Sequence, residues 1–160
     1  MKTYYPLEHQ GSVFSILENV PFLGGITEIQ RTVIFGYFER AWFEAGEFVA
    51  RKGETPTHIY IIKSGLVGLV LEREGAFVSK RQFCAGDSFG EAALLSLINN
   101  TASFRADEAA ELIVLSRKSL NTLRKEDPEI FTILMVNMAR ELARKLQYTD
   151  EMLLTRDLSD

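Results

Sequence analysis

The stretch best equipped for chemistry is Gly86-Asp87-Ser88-Phe89-Gly90-Glu91-Ala92-Ala93-Leu94-Leu95. A glycine turn that opens into a short helix leaves backbone N–H groups without carbonyl partners at the positive end of the helix dipole, and such groups bind a phosphate. Ala92 and Ala93 are small enough to let a ligand approach. Glu91 has two readings: an acceptor for a sugar hydroxyl, or an acidic residue that merely favours a helix start. Other reactive groups are sparse. One cysteine, Cys84, and two histidines, His9 and His58, cannot form an internal disulfide or a cysteine-rich zinc site. No Ser/His/Asp or Cys/His set supplies the bases that nucleophilic catalysis needs, so no enzyme is expected. Cys84 reads as a small buried hydrophobe, His58 as a satisfied strand residue, and Arg73, Lys80 and Arg81 as solvated strand or hairpin residues.

The elements that must hold this turn show in the changes of hydrophobic period. Residues 1–40 read as a helical flank: Val13, Phe14, Ile16 and Leu17 recur at helical spacing, Pro21 interrupts them, and Thr27 with Gln30 has the spacing of a capping box. Across 41–115, short β-branched and aromatic runs alternate with Gly46, Gly53, Ser64-Gly65, Gly75 and Gly86-Asp87, the pattern of consecutive short antiparallel strands. Residues 90–97 break that pattern with high helix propensity and predict a short inserted helix. Residues 116–160 return to helix. Ser116 can cap one helix, and Asp127-Pro128-Glu129 starts a second that runs to about Tyr148. Its stripe of Met135, Met138, Leu142 and Leu146 outruns what a small roll can cover, which predicts a homodimer through this helix.

Composition bounds the class. The chain has 160 residues, 46% of them hydrophobic, enough for one globular domain with a real core. Eighteen Lys+Arg against 22 Asp+Glu leave a formal charge of -4, which offers no general attraction to nucleic acid or an anionic membrane. The low cysteine count, the mixed polar N-terminus and the absence of a long apolar run predict a cytoplasmic protein.

Taken in order, Val20-Pro21-Phe22, Ala45-Gly46-Glu47, Lys52-Gly53-Glu54, Ile59-Tyr60-Ile61-Ile62, Ser64-Gly65-Leu66-Val67, Gly86 to Glu91, Thr101 to Ala106, Asp127 to Ile130 and Met138-Ala139-Arg140 resemble the cyclic nucleotide-binding domain family. That family is shared by the bacterial catabolite activator protein and the regulatory subunits of cyclic-AMP-dependent kinase. The resemblance implies an α+β fold: an antiparallel β-roll (a double-stranded β-helix, jelly-roll-like) with N-terminal helices, a short phosphate-cassette helix and a long C-terminal dimerisation helix. It also implies a ligand cup built from Phe89, Gly90, Glu91, Ala92, Ala93, residue 100 and Thr101. Family members that bind cyclic nucleotide carry an arginine for the cyclic phosphate where this chain has Asn100, which brings neither charge nor a forked donor. Arg105 matches a position outside the cup. Where the activator branch presents a hydroxyl pair to the base, ungapped counting gives Lys145 and Leu146. The activator branch's helix-turn-helix has no counterpart in these residues, so direct nucleic-acid contact is not expected.

The expected function is therefore a stand-alone, non-catalytic sensor or regulatory module. No cofactor is certain, and a cyclic nucleotide, cAMP or cGMP, would bind weakly. The alternatives are a protein-interaction and dimerisation module with a vestigial pocket, or the effector domain of an activator-type transcription factor lacking its DNA-binding domain.

Overall fold

The computed structural model describes residues 2–7 and 10–157; His9 lies outside them. Among the described residues, nine strands form two antiparallel sheets. The first joins β1 (Tyr5–Pro6), β2 (Phe38–Phe43), β9 (Ala110–Ser116), β4 (His58–Ser64) and β7 (Ser88–Phe89) in that order, and the second joins β3 (Phe48–Ala50), β8 (Ser103–Ala106), β5 (Val67–Arg73) and β6 (Ala76–Phe83). This is the expected β-roll.

Central strands β4 and β9 are apolar on both faces, because each face is buried against something different. Tyr60, Ile62, Leu112 and Val114 point between the sheets and meet Val49, Val67, Phe83 and Ala106. Ile59, Ile61, Ile113 and Leu115 point to the other side, where the helices cover them. The helices are α1 (Gln10–Leu17), α2 (Glu28–Phe35), α3 (Glu91–Ser96), α4 (Arg117–Glu126) and α5 (Pro128–Asp157), with a 3-10 turn at Pro21–Leu23.

Local chemistry sets the helix starts. Thr27 and Gln30 form the anticipated reciprocal capping box. The Ser116 hydroxyl accepts from the Ser119 N–H, and the Asp127 carboxylate accepts from the Ile130 N–H at 3.0 Å. Asn137 then ties α5 to the 3-10 turn by donating to the Gly24 carbonyl at 2.6 Å.

Several expectations are corrected. The flank is not wholly helical: β1 lies inside it and β2 begins at Phe38, where a period-2 alternation sets in, with Ala41 and Phe43 facing between the sheets and Phe38, Arg40 and Trp42 on the opposite face. The cassette helix is shorter than 90–97; Gly90 and Leu97 are its caps, both in left-handed backbone. Helix α5 continues nine residues past Tyr148, since nothing from Thr149 to Asp157 breaks it. Cys84 is exposed, at a turn where its N–H donates to the Asp87 carboxylate. Met138 is fully buried within its own chain, beside Ile130 and Leu134, which removes it from any dimer seam.

Candidate functional site

The cup begins at a turn pinned to β4: the Gly86 N–H donates to the Ile62 carbonyl and the Ile62 N–H to the Asp87 carbonyl, both at 2.9 Å. Strand β7 follows, with Phe89 opposite Tyr60. Gly90 then turns the chain at φ +91°. A Cβ there would lie 2.9 Å from the His58 carbonyl oxygen and 3.2 Å from Tyr60 Cδ2, so backbone conformation and space both require glycine. Buried Leu94 anchors α3 to the helical core, which leaves Ala92 exposed and Ala93 half-buried.

Glu91 is neither a solvated helix-start carboxylate nor an open acceptor. It is 4% exposed, and its Oε1 accepts a hydrogen bond from Lys145 Nζ on α5, while its Oε2 is buried without a hydrogen-bond partner among the described residues. Lys145 reaches it because it lies seven residues after Met138, two turns along the same inward face. That spacing is the signal for the contact that the sequence carries. Leu146, the other residue matched to the base contact, is 62% exposed.

Asn100 is buried, and its backbone is clamped from both directions: its N–H donates to the Glu54 carbonyl at 2.9 Å, and its carbonyl accepts from the Gly53 N–H at 2.7 Å. Thr101 is exposed. Arg105 turns to Asp107, with Nη2 3.3 Å from Oδ1. The structure thus brings Phe89, Gly90, Glu91 and Lys145 together, and places no Arg105 ion pair among them.

The roll interior beside the corner is filled by rings. Phe89 stacks between Tyr60 and Phe104, with centroids 5.0 and 4.4 Å away, and Phe83 lies 5.4 Å off. The cavity left between Phe89, Gly90, Asn100, Tyr60, His58 and Lys2 has a volume of about 30 Å³, far below the ~300 Å³ at which small-molecule pockets begin. The N-terminal segment closes it: Lys2 donates to the Val49 carbonyl at 2.6 Å, and Tyr4 packs on His58. Burial, with the Lys2 ammonium nearby, pushes His58 down to about 4, and burial raises Tyr60 above the usual phenol range. Nothing in the sequence marked Lys2 or Tyr4 as part of this region.

Among the described residues there is no cluster of three or more His, Cys, Asp or Glu able to hold a metal, and no helix is long and apolar enough to cross a membrane.

Comparison with known proteins adds the family. The model for the cyclic nucleotide-binding domain matches residues 40–127, more than half of the chain. The chain is 29% identical over 109 residues to a cAMP-dependent protein kinase regulatory subunit from Schizosaccharomyces pombe, covering 68% of this chain and 26% of that one. It is 34% identical over 113 residues to isozyme 1 of cGMP-dependent protein kinase from Drosophila melanogaster, covering 64% of this chain and 14% of the relative. The chain thus spans about a quarter or less of these relatives. Among solved structures, a cyclic nucleotide-binding domain from Methylobacillus flagellatus superposes with a TM-score of 0.77 at 16% identity, over 91% of this chain and 82% of that one. The catabolite activator protein of Thermus thermophilus does so with 0.73 at 27% identity, over 86% and 63%. A mutant regulatory subunit of a cAMP-independent protein kinase A from Trypanosoma brucei, bound to cAMP, gives 0.68 at 23% identity, over 88% and 50%. By its family model and its fold, this chain belongs to the cyclic nucleotide-binding domain family of non-catalytic regulatory and sensor modules.

Proposed function

We propose that the chain is a regulatory module whose cup has lost high affinity for cyclic nucleotides while keeping the corner that would receive one. Asn100 carries this reading. It stands where the family's phosphate-pairing arginine is expected, buried and with a clamped backbone. An amide supplies no charge to a cyclic phosphate, and hydrogen bonds to charged groups contribute ~1.5–3 kcal/mol. Gly90 and Glu91 supply the rest of the corner. A regulatory subunit of a cAMP-independent protein kinase A from Trypanosoma brucei, a mutant of which is bound to cAMP, shares the fold.

Titration calorimetry of the native chain with cAMP and cGMP tests this. Dissociation constants above ~100 μM are expected; submicromolar binding of either nucleotide overturns the reading.

A second reading is a dimerisation module with a vestigial pocket, and the packed rings around the 30 Å³ cavity favour it. The proposed partner is a second copy of the chain, joined along α5.

A further inference from the structure

We propose that Lys145 is a specificity-determining residue that closes the cup to cyclic nucleotides by acting as an intramolecular occupant of Glu91. The inference rests on the reading of Gly90 and Glu91 as the ligand-receiving corner, and adds a second obstacle to the one at Asn100.

The geometry carries it. Glu91 is held in the body of the protein with its side chain 5% exposed, and the Lys145 ammonium, on a side chain 29% exposed, is bonded to its Oε1. On the outer side of Lys145 lies a basin of about 260 Å³ that also presents Arg81 and Arg144. Arg144 is balanced by Glu141 at 3.5 Å, while Arg81 lies over the Phe83 ring at 4.7 Å and has no carboxylate in ion-pair contact among the described residues. Like charge from exposed Arg81, which lines the same basin, favours an ammonium held on Glu91.

A ligand hydroxyl that bonds Glu91 must displace this ammonium or settle for the unpartnered Oε2. Displacement exchanges a charged donor for a neutral one at a buried carboxylate. Breaking a buried pair leaves an uncompensated charge, which is strongly unfavourable. Lys145 thus discriminates against sugar-bearing ligands through Glu91, independently of what happens at the phosphate end. The pair also ties α3 to α5 with no ligand present, so the cassette is already docked on the long helix.

The test uses the full chain in an Asn100→Arg background, where the restored phosphate partner is expected to bring cAMP binding into measurable range, with calorimetry on that protein and on versions adding Lys145→Thr, Glu91→Ala, or both. Thermal unfolding first shows that each variant is folded; Lys145→Gln replaces Lys145→Thr if the latter fails to fold. Lys145→Thr is expected to raise cAMP affinity at least tenfold, and to give no gain once Glu91 is alanine. If Asn100→Arg binds cAMP and Lys145→Thr leaves its affinity unchanged or lowers it, the role given to Lys145 is overturned while the reading of the cup stands. A tenfold gain that persists without Glu91 also overturns it, since Lys145 would then act elsewhere. If no variant binds cAMP, the proposal falls together with the reading of the cup.

Discussion

Tyr4, immediately before β1, stacks on His58 at the start of β4, with ring centroids 4.2 Å apart and planes at 23°. The stack shields the imidazole, whose pKa is lowered by burial and by Lys2 to about 4. The unfolded chain takes up a proton below about 6.5, whereas the native chain resists until about 4, so folding stability falls as pH drops through that window. A slope of ~1.4 kcal/mol per pH unit is the ceiling, and partial solvent screening of the half-buried ring leaves a loss of about 1 kcal/mol between pH 6.5 and 5. Urea unfolding at pH 7, 6 and 5 is expected to show it. His58→Phe, which keeps the stack and cannot titrate, is expected to flatten the profile; equal slopes in both proteins would refute the assignment.

Gly90→Ala is expected to destabilise the chain by about 2 kcal/mol, from left-handed backbone and from the new Cβ pressed against the His58 carbonyl. Gly86→Ala is the control. Gly86 has a similar φ of +92° but nothing within 4 Å of a Cβ, so only the backbone term of about 1 kcal/mol remains. Equal losses in the two variants would show that space at Gly90 is not limiting.

These two glycines also show how far the sequence could be read. Glycine punctuation and β-branched runs mark strands because they report local backbone preference, and they located β2 to β6, β8 and β9. The two-residue strands β1 and β7 carry too little pattern to be seen; each exists only because a neighbour, β2 or β4, supplies hydrogen bonds. The cup divides the same way. Gly90 and Glu91 are contiguous and were legible, whereas the Glu91–Lys145 pair joins residues 54 apart in the chain. The closure by Lys2 and Tyr4 is equally non-local. Cys84 departs from the burial that its small apolar character favours on average, because its turn is held on the surface by Asp87.

That turn yields a chemical prediction. The Asp87 carboxylate accepts from the Cys84 N–H at 2.9 Å and lies 3.5 Å from Sγ, and its charge raises the thiol above the usual cysteine range. Thiolate, not thiol, is the nucleophile, so iodoacetamide should react slowly at pH 7.5 although Cys84 is exposed. Asp87→Asn is expected to speed alkylation severalfold by mass spectrometry. An unchanged rate would mean that access, not charge, controls the thiol.

Helix α5 carries two apolar stripes, one buried in the chain's own core and one largely exposed, and mutations should separate their effects. Ile130, Leu134 and Met138 recur every four residues and are fully buried in the chain's own core. Met135, Ala139, Leu142, Leu146, Thr149 and Leu153 follow alternating steps of four and three, the spacing that the proposed coiled-coil dimer requires. In the single chain this second stripe is incompletely covered: Met135 and Leu142 are half-buried, while Leu146 and Leu153 are 62% and 56% exposed. An exposed stripe along a 30-residue helix fits a second copy of itself better than water. Light scattering at micromolar concentration is expected to give a dimer, and Leu146→Glu a monomer with near-native thermal stability of the individual fold. Met138→Ala should do the opposite, lowering unfolding stability by about 2–5 kcal/mol through a core cavity while leaving the dimer intact. A native monomer at every concentration would refute the seam, and dissociation by Met138→Ala alone would show that the two stripes are not independent.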